Sequence, residues 1–390
     1  MTILKTHIAI TSFASVSPLG TTPEAVWQAY LDPTTAISLQ DFEGTSLWAA
    51  SLTEETQNLL ENLRQEDARY KALDTTVLMA ILASRKAVAQ AGWEKGSSFG
   101  VNLGSSRGAT QLFEKYHQEF LTTGRTATLA SPTTTLGNIA SWVAHDLHSQ
   151  GPEISHSITC STALHAILNA AAWLQAGMST QFLVGGSEAP LTPFTLAQMQ
   201  AMKIYAPTSL VDTTYPNRAM DLQKTYNSLV LGEGAAVACL EKGTHPNALA
   251  YIQGIGYATE ELEHNVSISE EALCFQKSMQ MALHDVPLSE VDAIVMHAPG
   301  TVKGDQSEYK AIQKIFGATL PLLTTNKWKL GHTFGASGML SVELALLMLQ
   351  HQTFIGVPFT SSQTHETPLR KILINAVGFG GNAVSVLIGL

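Results

Sequence analysis

Cysteine is scarce in this chain: three thiols among 390 residues, Cys160, Cys239 and Cys274, at spacings that form neither a disulfide framework nor a metal motif. That scarcity fits a reducing compartment. Basic charge is also in deficit, with 22 Lys and Arg against 32 Asp and Glu and a net charge of −10. A balance of that sign argues against nucleic acid or an anionic membrane as the main partner. No apolar run is long enough to span a bilayer, and Thr11, Ser12 and Ser15 interrupt the apolar N-terminal stretch. Neither a signal peptide nor a membrane span is therefore expected, and a cytosolic location is. Phosphate-cradling loops are missing too. Gly254-Ile255-Gly256 lacks the third glycine of a dinucleotide loop, and no Walker-type or His-Glu-x-x-His pattern occurs.

Alternating helical and strand patterns fill the chain instead. With 45% hydrophobic residues, 390 positions give material for two domains or one large duplicated one. Segment 154–177 organises the first half. Residues 154–159 alternate apolar and polar, as a half-buried strand does. From Ser161 an Ala- and Leu-rich run has helical spacing and stops at Gly177. Cys160 falls between the two. A sulfur at a helix start faces free backbone N–H groups and the positive dipole end, which favour thiolate. A lone cysteine is nevertheless more often a small buried hydrophobe.

Further strands are expected at 6–13, 98–104, 181–186 and 235–240, with helices at 23–30, 53–65, 73–92, 113–120 and 140–148. The rest of 32–70, and 188–230, read as irregular. Gly, Pro and Asn cluster at 241–247, which marks a boundary. Beyond it the order of elements starts again. Strand 248–257, helix 270–284, strand 293–296, helix 305–316 and strand 322–326 lead to a Gly-rich turn and helix 338–350; strands 371–377 and 384–388 close the chain. The expected organisation is two similar α/β halves of pattern βαβαβαββ, 1–243 and 248–390, related by a pseudo-twofold and sharing a core. Mostly parallel strands would put the site at strand carboxyl ends.

Chemistry-bearing residues stand at those ends. Besides Cys160, half two places Lys327 and His332 in its equivalent turn, His297 after strand 293–296, and Gly378-Phe379-Gly380-Gly381 between the closing strands. Each has a plain structural reading: a strand cap, a helix start, a solvated lysine, a tight hairpin. Their joint placement favours function. A Cys with two His points to acyl transfer through a thioester, with the amides of Cys160 and Phe379 as the expected oxyanion hole. Two neutral imidazoles suit a second oxyanion, the enolate left when a malonyl-type thioester loses carbon dioxide. Lys327 is expected to depress their pKa and keep them neutral.

These residues carry a resemblance. Thr159-Cys160-Ser161-Thr162-Ala163, His297-Ala298-Pro299-Gly300-Thr301 with Gly304-Asp305 and Glu308, Lys327 five residues before His332, Gly378-Phe379-Gly380-Gly381-Asn382 and Leu231-Gly232-Glu233-Gly234-Ala235 are similar to motifs of the elongating β-ketoacyl-acyl-carrier-protein synthases. The match covers nearly the whole length. It implies a thiolase-like fold layered α/β/α/β/α. It also implies decarboxylative condensation of a cysteine-bound acyl chain with malonyl-acyl-carrier protein. By that likeness Cys160 is the acyl-accepting nucleophile, His297 and His332 serve decarboxylation and condensation, and Lys327 organises them. Phe379 and Gly380 belong to the gate and oxyanion turn, and Thr162 and Thr301 bind substrate. No metal, flavin or nicotinamide is implied.

Some positions depart from the family pattern. Pro299 stands where a Thr hydroxyl is usual, Ser341 where a Glu commonly pairs with the lysine, and Asn227-Ser228-Leu229 where Asp-Gly-Phe is common. Glu343, two residues on and about 200° around a helix, cannot simply replace that Glu. The departures fit a specialised type II system making polyketides, polyenes or unusual acyl chains.

The implied partners are an acyl carrier protein bearing phosphopantetheine and a second chain, in a homodimer or a heterodimer with a related synthase-like protein. The carrier is acidic. Arg64, Arg69 and Lys71 form the densest basic cluster for it, with Arg125 and Lys203 as weaker candidates, although a solvated helix face explains the cluster as well. Two rival functions stay open: a non-catalytic partner resembling a chain-length factor, and a cysteine acyltransferase.

Overall fold

In each half the first strand lies innermost and the last strand lies beside it. One ten-stranded sheet runs Leu322–Thr324, Ala293–Val295, Lys371–Gly378, Asn382–Gly389, Ala250–Thr259, Ile8–Val16, Gly234–Lys242, Gln181–Glu188, Gly100–Gly104, Glu153–Ile154. Counted outward from the middle, both halves follow the order first, fifth, fourth, second, third. Strand directions repeat as well. First with fifth and fifth with fourth are antiparallel, fourth with second and second with third parallel, in both halves. The two first strands pair antiparallel at residues 8–10 and 250–252, joining the halves about a pseudo-twofold. This computed structural model describes residues 4–136, 138–209, 213–261, 269–360 and 367–390, so that 210–212 of the 188–230 stretch lie outside it.

Side chains alternating along the strands build the layers. Phe182 and Val184 join Ala236, Ala238 and Leu240 against the helices Thr162–Ala176 and Ser337–His351. Leu183, Val237 and Cys239 point the other way, onto helices Thr75–Ala91 and Asn138–Leu147. In half two Ile372 and Ile374 face the same two central helices, while Leu373 and Ile294 face Leu273–Ala282 and Val302–Phe316. The result is five layers, helix, sheet, helix, sheet, helix. The central helices touch where Gly338 meets Leu164; a Cβ on Gly338 would lie 2.7 Å from Leu164 Cγ.

Local departures from the sequence expectation have physical causes. The 188–230 stretch contains a helix, Pro193–Ala201, opened by a proline in its first turn. A hairpin, Ser38–Phe42 with Thr45–Ala50, occupies part of 32–70. The strand expected at 154–159 pairs only as Glu153–Ile154. The remaining alternation belongs to a half-buried approach that ends at Thr159, where φ is 47°.

Candidate active site

Cys160 stands one residue before the N-cap of the helix Thr162–Ala176. The turn is fixed by its neighbours. Ser161 Oγ donates to the Ile158 carbonyl (2.9 Å), Thr162 Oγ1 donates to the Thr159 carbonyl (2.6 Å), and Thr162 Oγ1 accepts from the Ile158 amide (2.9 Å). The Thr162 hydroxyl is thus occupied within the turn and buried, which corrects the expectation that it binds substrate. Its task is to hold the sulfur in place.

The closing hairpin meets this turn. Strand Lys371–Gly378 brings Gly378 so close that a Cβ there would collide with Thr159 Oγ1. Gly380 and Gly381 follow with φ of 95° and 68°, a conformation that favours glycine. Phe379, 37% exposed, is carried between Gly378 and Gly380 to the cavity beside Cys160.

His297 follows the strand Ala293–Val295, and its position is set by Glu308 of the helix Val302–Phe316. That carboxyl accepts the amides of His297 (3.0 Å) and Ala298 (2.8 Å), and Asn375 Nδ2 donates to it at 3.2 Å. Asp305 accepts the Gly300 amide (3.0 Å) and the buried Lys224 ammonium (2.6 Å). Thr301 caps the helix by accepting from the Gly304 amide at 3.2 Å. The residues that depart from the family pattern hold this loop. Ser228 Oγ donates to the Gly300 carbonyl (2.8 Å), and Asn227 Oδ1 accepts the Val302 amide (2.9 Å).

Lys327 opens the short helix Lys327–Leu330, wholly buried, its Nζ donating to Asn326 Oδ1 (2.7 Å) and to Ser341 Oγ (3.3 Å). Glu343 faces elsewhere and accepts from Ser15 Oγ at 2.5 Å. The His332 amide donates to the Val230 carbonyl at 2.7 Å. Its ring meets that of His297 edge to face, with centroids 5.2 Å apart.

A cavity of about 280 Å³ joins the pieces: Cys160, His297, His332, Phe379, Pro299 and Thr301 all line it, together with Met199, Leu229, Phe275 and Phe334. Exposed Lys303 belongs to the same wall. Gly380 shapes the adjoining turn.

Burial decides the electrostatics. It pushes the Cys160 thiol up to about 12, and the Glu188 carboxylate adds to the rise, while Lys327 and Arg107 oppose it. Desolvation therefore outweighs the helix terminus, and the resting group is a thiol rather than the expected thiolate. Burial likewise takes His297 down to about 3, with Lys327 as the lesser cause. His332 lies well below its usual range through burial first, then His297, then Lys327. Both rings are neutral, though the lysine is not the chief reason. Lys327 itself drops to about 8 on burial, against the pull of Glu308, Cys160 and Asp305.

Glu188 went unnoticed in the sequence. It ends the strand Gln181–Glu188 and binds Ser105 Oγ (2.8 Å) and the amides of Ser106 (2.7 Å), Arg107 (3.0 Å) and Gly335 (3.0 Å). An acid closing a buried strand was the available signal. The basic cluster fares differently. Arg64 donates to the Leu73 carbonyl (2.8 Å) and pairs with Glu61, and Arg69 pairs with Asp67 at 2.5 Å, leaving Lys71 exposed. Among the described residues no His, Cys, Asp and Glu group could hold a metal, and no helix is long and apolar enough to cross a membrane.

Comparison with known proteins gives a consistent picture. Residues 5–245 match the model of the "Beta-ketoacyl synthase, N-terminal domain" and 249–358 that of the "Beta-ketoacyl synthase, C-terminal domain". The 3-oxoacyl-[acyl-carrier-protein] synthase 2 of Vibrio harveyi is 25% identical, with 98% of each chain covered. Among solved structures, the ishigamide ketosynthase/chain length factor superposes with a TM-score of 0.86 at 19% identity, covering 98% of this chain and 99% of that one. A β-ketoacyl synthase from Burkholderia phymatum STM815 gives 0.86 at 21% identity with the same coverage.

Proposed function

Because this chain belongs to the β-ketoacyl synthase family, we propose that it condenses an acyl group held on Cys160 with a malonyl thioester carried by an acyl carrier protein. The supporting observation is that one cavity is lined by the thiol and by both imidazoles. Cys160 sulfur attacks the incoming acyl thioester, a new C–S bond forms, and the carrier's thiol leaves with the proton. The amides of Cys160 and Phe379 receive the oxyanion of that step. A malonyl thioester then enters past Thr301 and loses carbon dioxide. The N–H groups of His297 and His332 bind the enolate oxygen, which neutral rings do without a competing charge. Its carbon attacks the acyl carbonyl, and Cys160 leaves as the 3-oxoacyl product forms.

In this reading the enzyme is an acyltransferase of the 3-oxoacyl-acyl-carrier-protein synthase type, composed of domains 1–243 and 248–390. Its three free thiols support a cytosolic setting. Phe113, Phe120 and Leu121, 58%, 52% and 64% exposed on the helix Thr110–Thr123, support a second chain of the same fold packed there. With Arg64 and Arg69 already paired, Lys303 beside the cavity is the better landing charge for an acidic carrier. Neighbours described as ketosynthase with chain length factor make polyketide-type chains one natural substrate class.

Intact-mass spectrometry tests the proposal. The purified chain, given acyl carrier and then malonyl carrier, should gain an acyl mass on Cys160 and release carbon dioxide with a 3-oxoacyl product. Acylation without any malonyl dependence would make it a cysteine acyltransferase. No acylation and no gas would make it a scaffold partner.

A further inference from the structure

We propose that Asn375 is a positioning residue for His297: it aims the Glu308 carboxyl at the backbone that carries the imidazole. Asn375 lies opposite Ser385 in the closing pair of strands. Its neighbours on that face are Leu373 and Val377, and Ser385 stands between Ala383 and Leu387, all four in the apolar layer under the helices Leu273–Ala282 and Val302–Phe316. A leucine would suit the place, since a buried amide costs free energy unless its hydrogen bonds are made. Asn375 uses both ends of its amide. Nδ2 donates to Glu308 Oε1 (3.2 Å) and to Met279 Sδ (3.5 Å), and Oδ1 accepts from Ser385 Oγ (2.8 Å).

Proton counting gives this string one direction. The Ser385 hydroxyl gives its single proton to Asn375. Ser278 Oγ, 2.8 Å away, therefore donates to Ser385 rather than to the Phe275 carbonyl at 3.1 Å. With its oxygen tied to Ser385, the amide presents N–H to Glu308; the flipped amide would set a carbonyl against a carboxyl. Ser278, Ser385, Asn375 and Glu308 are all buried, so solvent does not replace a missing link.

The string ends at the site. Glu308 Oε1 accepts the His297 amide and Oε2 the Ala298 amide. Ala298 has a φ of 25°, strained for a residue with a Cβ, and the paired amides hold it there. The imidazole lines the cavity and leans on the His332 ring, so its placement comes from this backbone. Asn375 fixes the acceptor, the acceptor fixes the turn, and the turn fixes the ring.

The proposal rests on the decarboxylating role given to His297 above, and the experiment separates the two. In a Cys160→Gln background, Asn375→Leu should lower kcat for malonyl decarboxylation at least about tenfold, within the hundredfold that a shift of about 1 Å can cost, with KM unchanged. With Cys160 present, acylation of the sulfur by an acyl carrier should keep its rate, because that step does not use His297. Asn375→Asp should recover most of kcat at pH 6, where two buried acids side by side share a proton and an O–H replaces the amide N–H aimed at Glu308. Should the leucine variant not fold, Ser385→Ala, which frees the amide to turn, should give the same split at about threefold. Hydrogen exchange in the peptide carrying the His297 and Ala298 amides needs no reaction. It should speed about tenfold in Asn375→Leu and return toward wild type in Asn375→Asp at pH 6. A parent protein that releases no carbon dioxide would sink the assigned reaction and leave exchange to decide the positioning. Unchanged exchange, an equal fall in acylation and decarboxylation, or an aspartate no better than leucine at pH 6 would each overturn the proposal.

Discussion

His297 and His332 meet edge to face, 5.2 Å between ring centroids at 86°, although they arrive on loops from different parts of the second half. Two rings this close, both buried, share one solution: neither carries a proton beyond neutrality. In a Cys160→Gln variant, whose carboxamide mimics the acylated sulfur, malonyl decarboxylation should therefore show no acid limb between about pH 5 and 7. An acid limb near the ordinary histidine range, about 6.5, would show that a ring charges there and cannot serve as a neutral donor.

The alkaline side reports a different group. Lys327 is cationic below about 8, and its charge then fades as pH rises. In the same variant decarboxylation should decline with a midpoint near 8. Lys327→Met should lower the plateau and abolish that limb; an unchanged midpoint in the methionine variant would assign the limb to another group.

Glu343 gives a stability prediction. Burial raises its folded pKa from the usual 4.5 to about 7. As pH rises from 4.5 to 7 the unfolded chain loses this proton while the fold keeps it, so stability falls through that window and levels off above 7. Glu343→Gln imitates the protonated acid. It should match wild type at pH 4.5 and exceed it at pH 8 by up to about 3 kcal/mol. Paired urea melts at the two pH values check this; a constant difference between the proteins would show that Glu343 does not titrate on folding.

Why the sequence disclosed the fold is visible in the strands. Alternating Leu183 and Val184, or Leu373 and Ile374, serve two apolar layers, so each buried strand announces itself as a short hydrophobic run. His297 was legible because it sits just past such a run, the strand Ala293–Val295, and Cys160 and His332 because each stands in the turn that leads to a long apolar helix. The strand expected at 154–159 failed for a local reason, as Thr162 and Ser161 side chains take backbone groups that a neighbouring strand would need. Thr162 was assigned to substrate on likeness, and its hydroxyl proved to face inward to the turn. The thiolate expectation considered the helix terminus and had no measure of burial. Glu188 was missed because its backbone-amide partners come near it only on folding, and Asn326 because its bond to the adjacent Lys327 depends on the buried turn that orients both side chains.

Gly378 tests the coupling between the hairpin and the cysteine turn. A Cβ at this position would strike Thr159 Oγ1, and either the turn or the hairpin must shift. Gly378→Ala should reduce Cys160 self-acylation about a hundredfold, the scale set by a displacement near 1 Å in a reacting group. Stopped-flow acylation measures the effect. Full activity with an unaltered melting temperature would mean that the two segments are less tightly bound to each other than their contact implies.

Lys303, the proposed landing charge, can be tested against the 64–71 cluster. It is exposed beside the cavity, whereas Arg69 is already paired with Asp67. Lys303→Glu should raise KM for malonyl carrier protein about three- to tenfold, as reversal of one rim charge does, with kcat little changed. The loss should shrink in high salt, because an exposed charge acts through screened solvent. Decarboxylation of a small malonyl thioester lacking the protein should be unaffected by the same substitution, which separates docking from damage to the pocket. Arg69→Ala should leave all three measurements at wild-type values. If Arg69→Ala raises KM instead and Lys303→Glu does not, the carrier approaches by way of the 64–71 cluster and the charge beside the cavity plays no part in its capture.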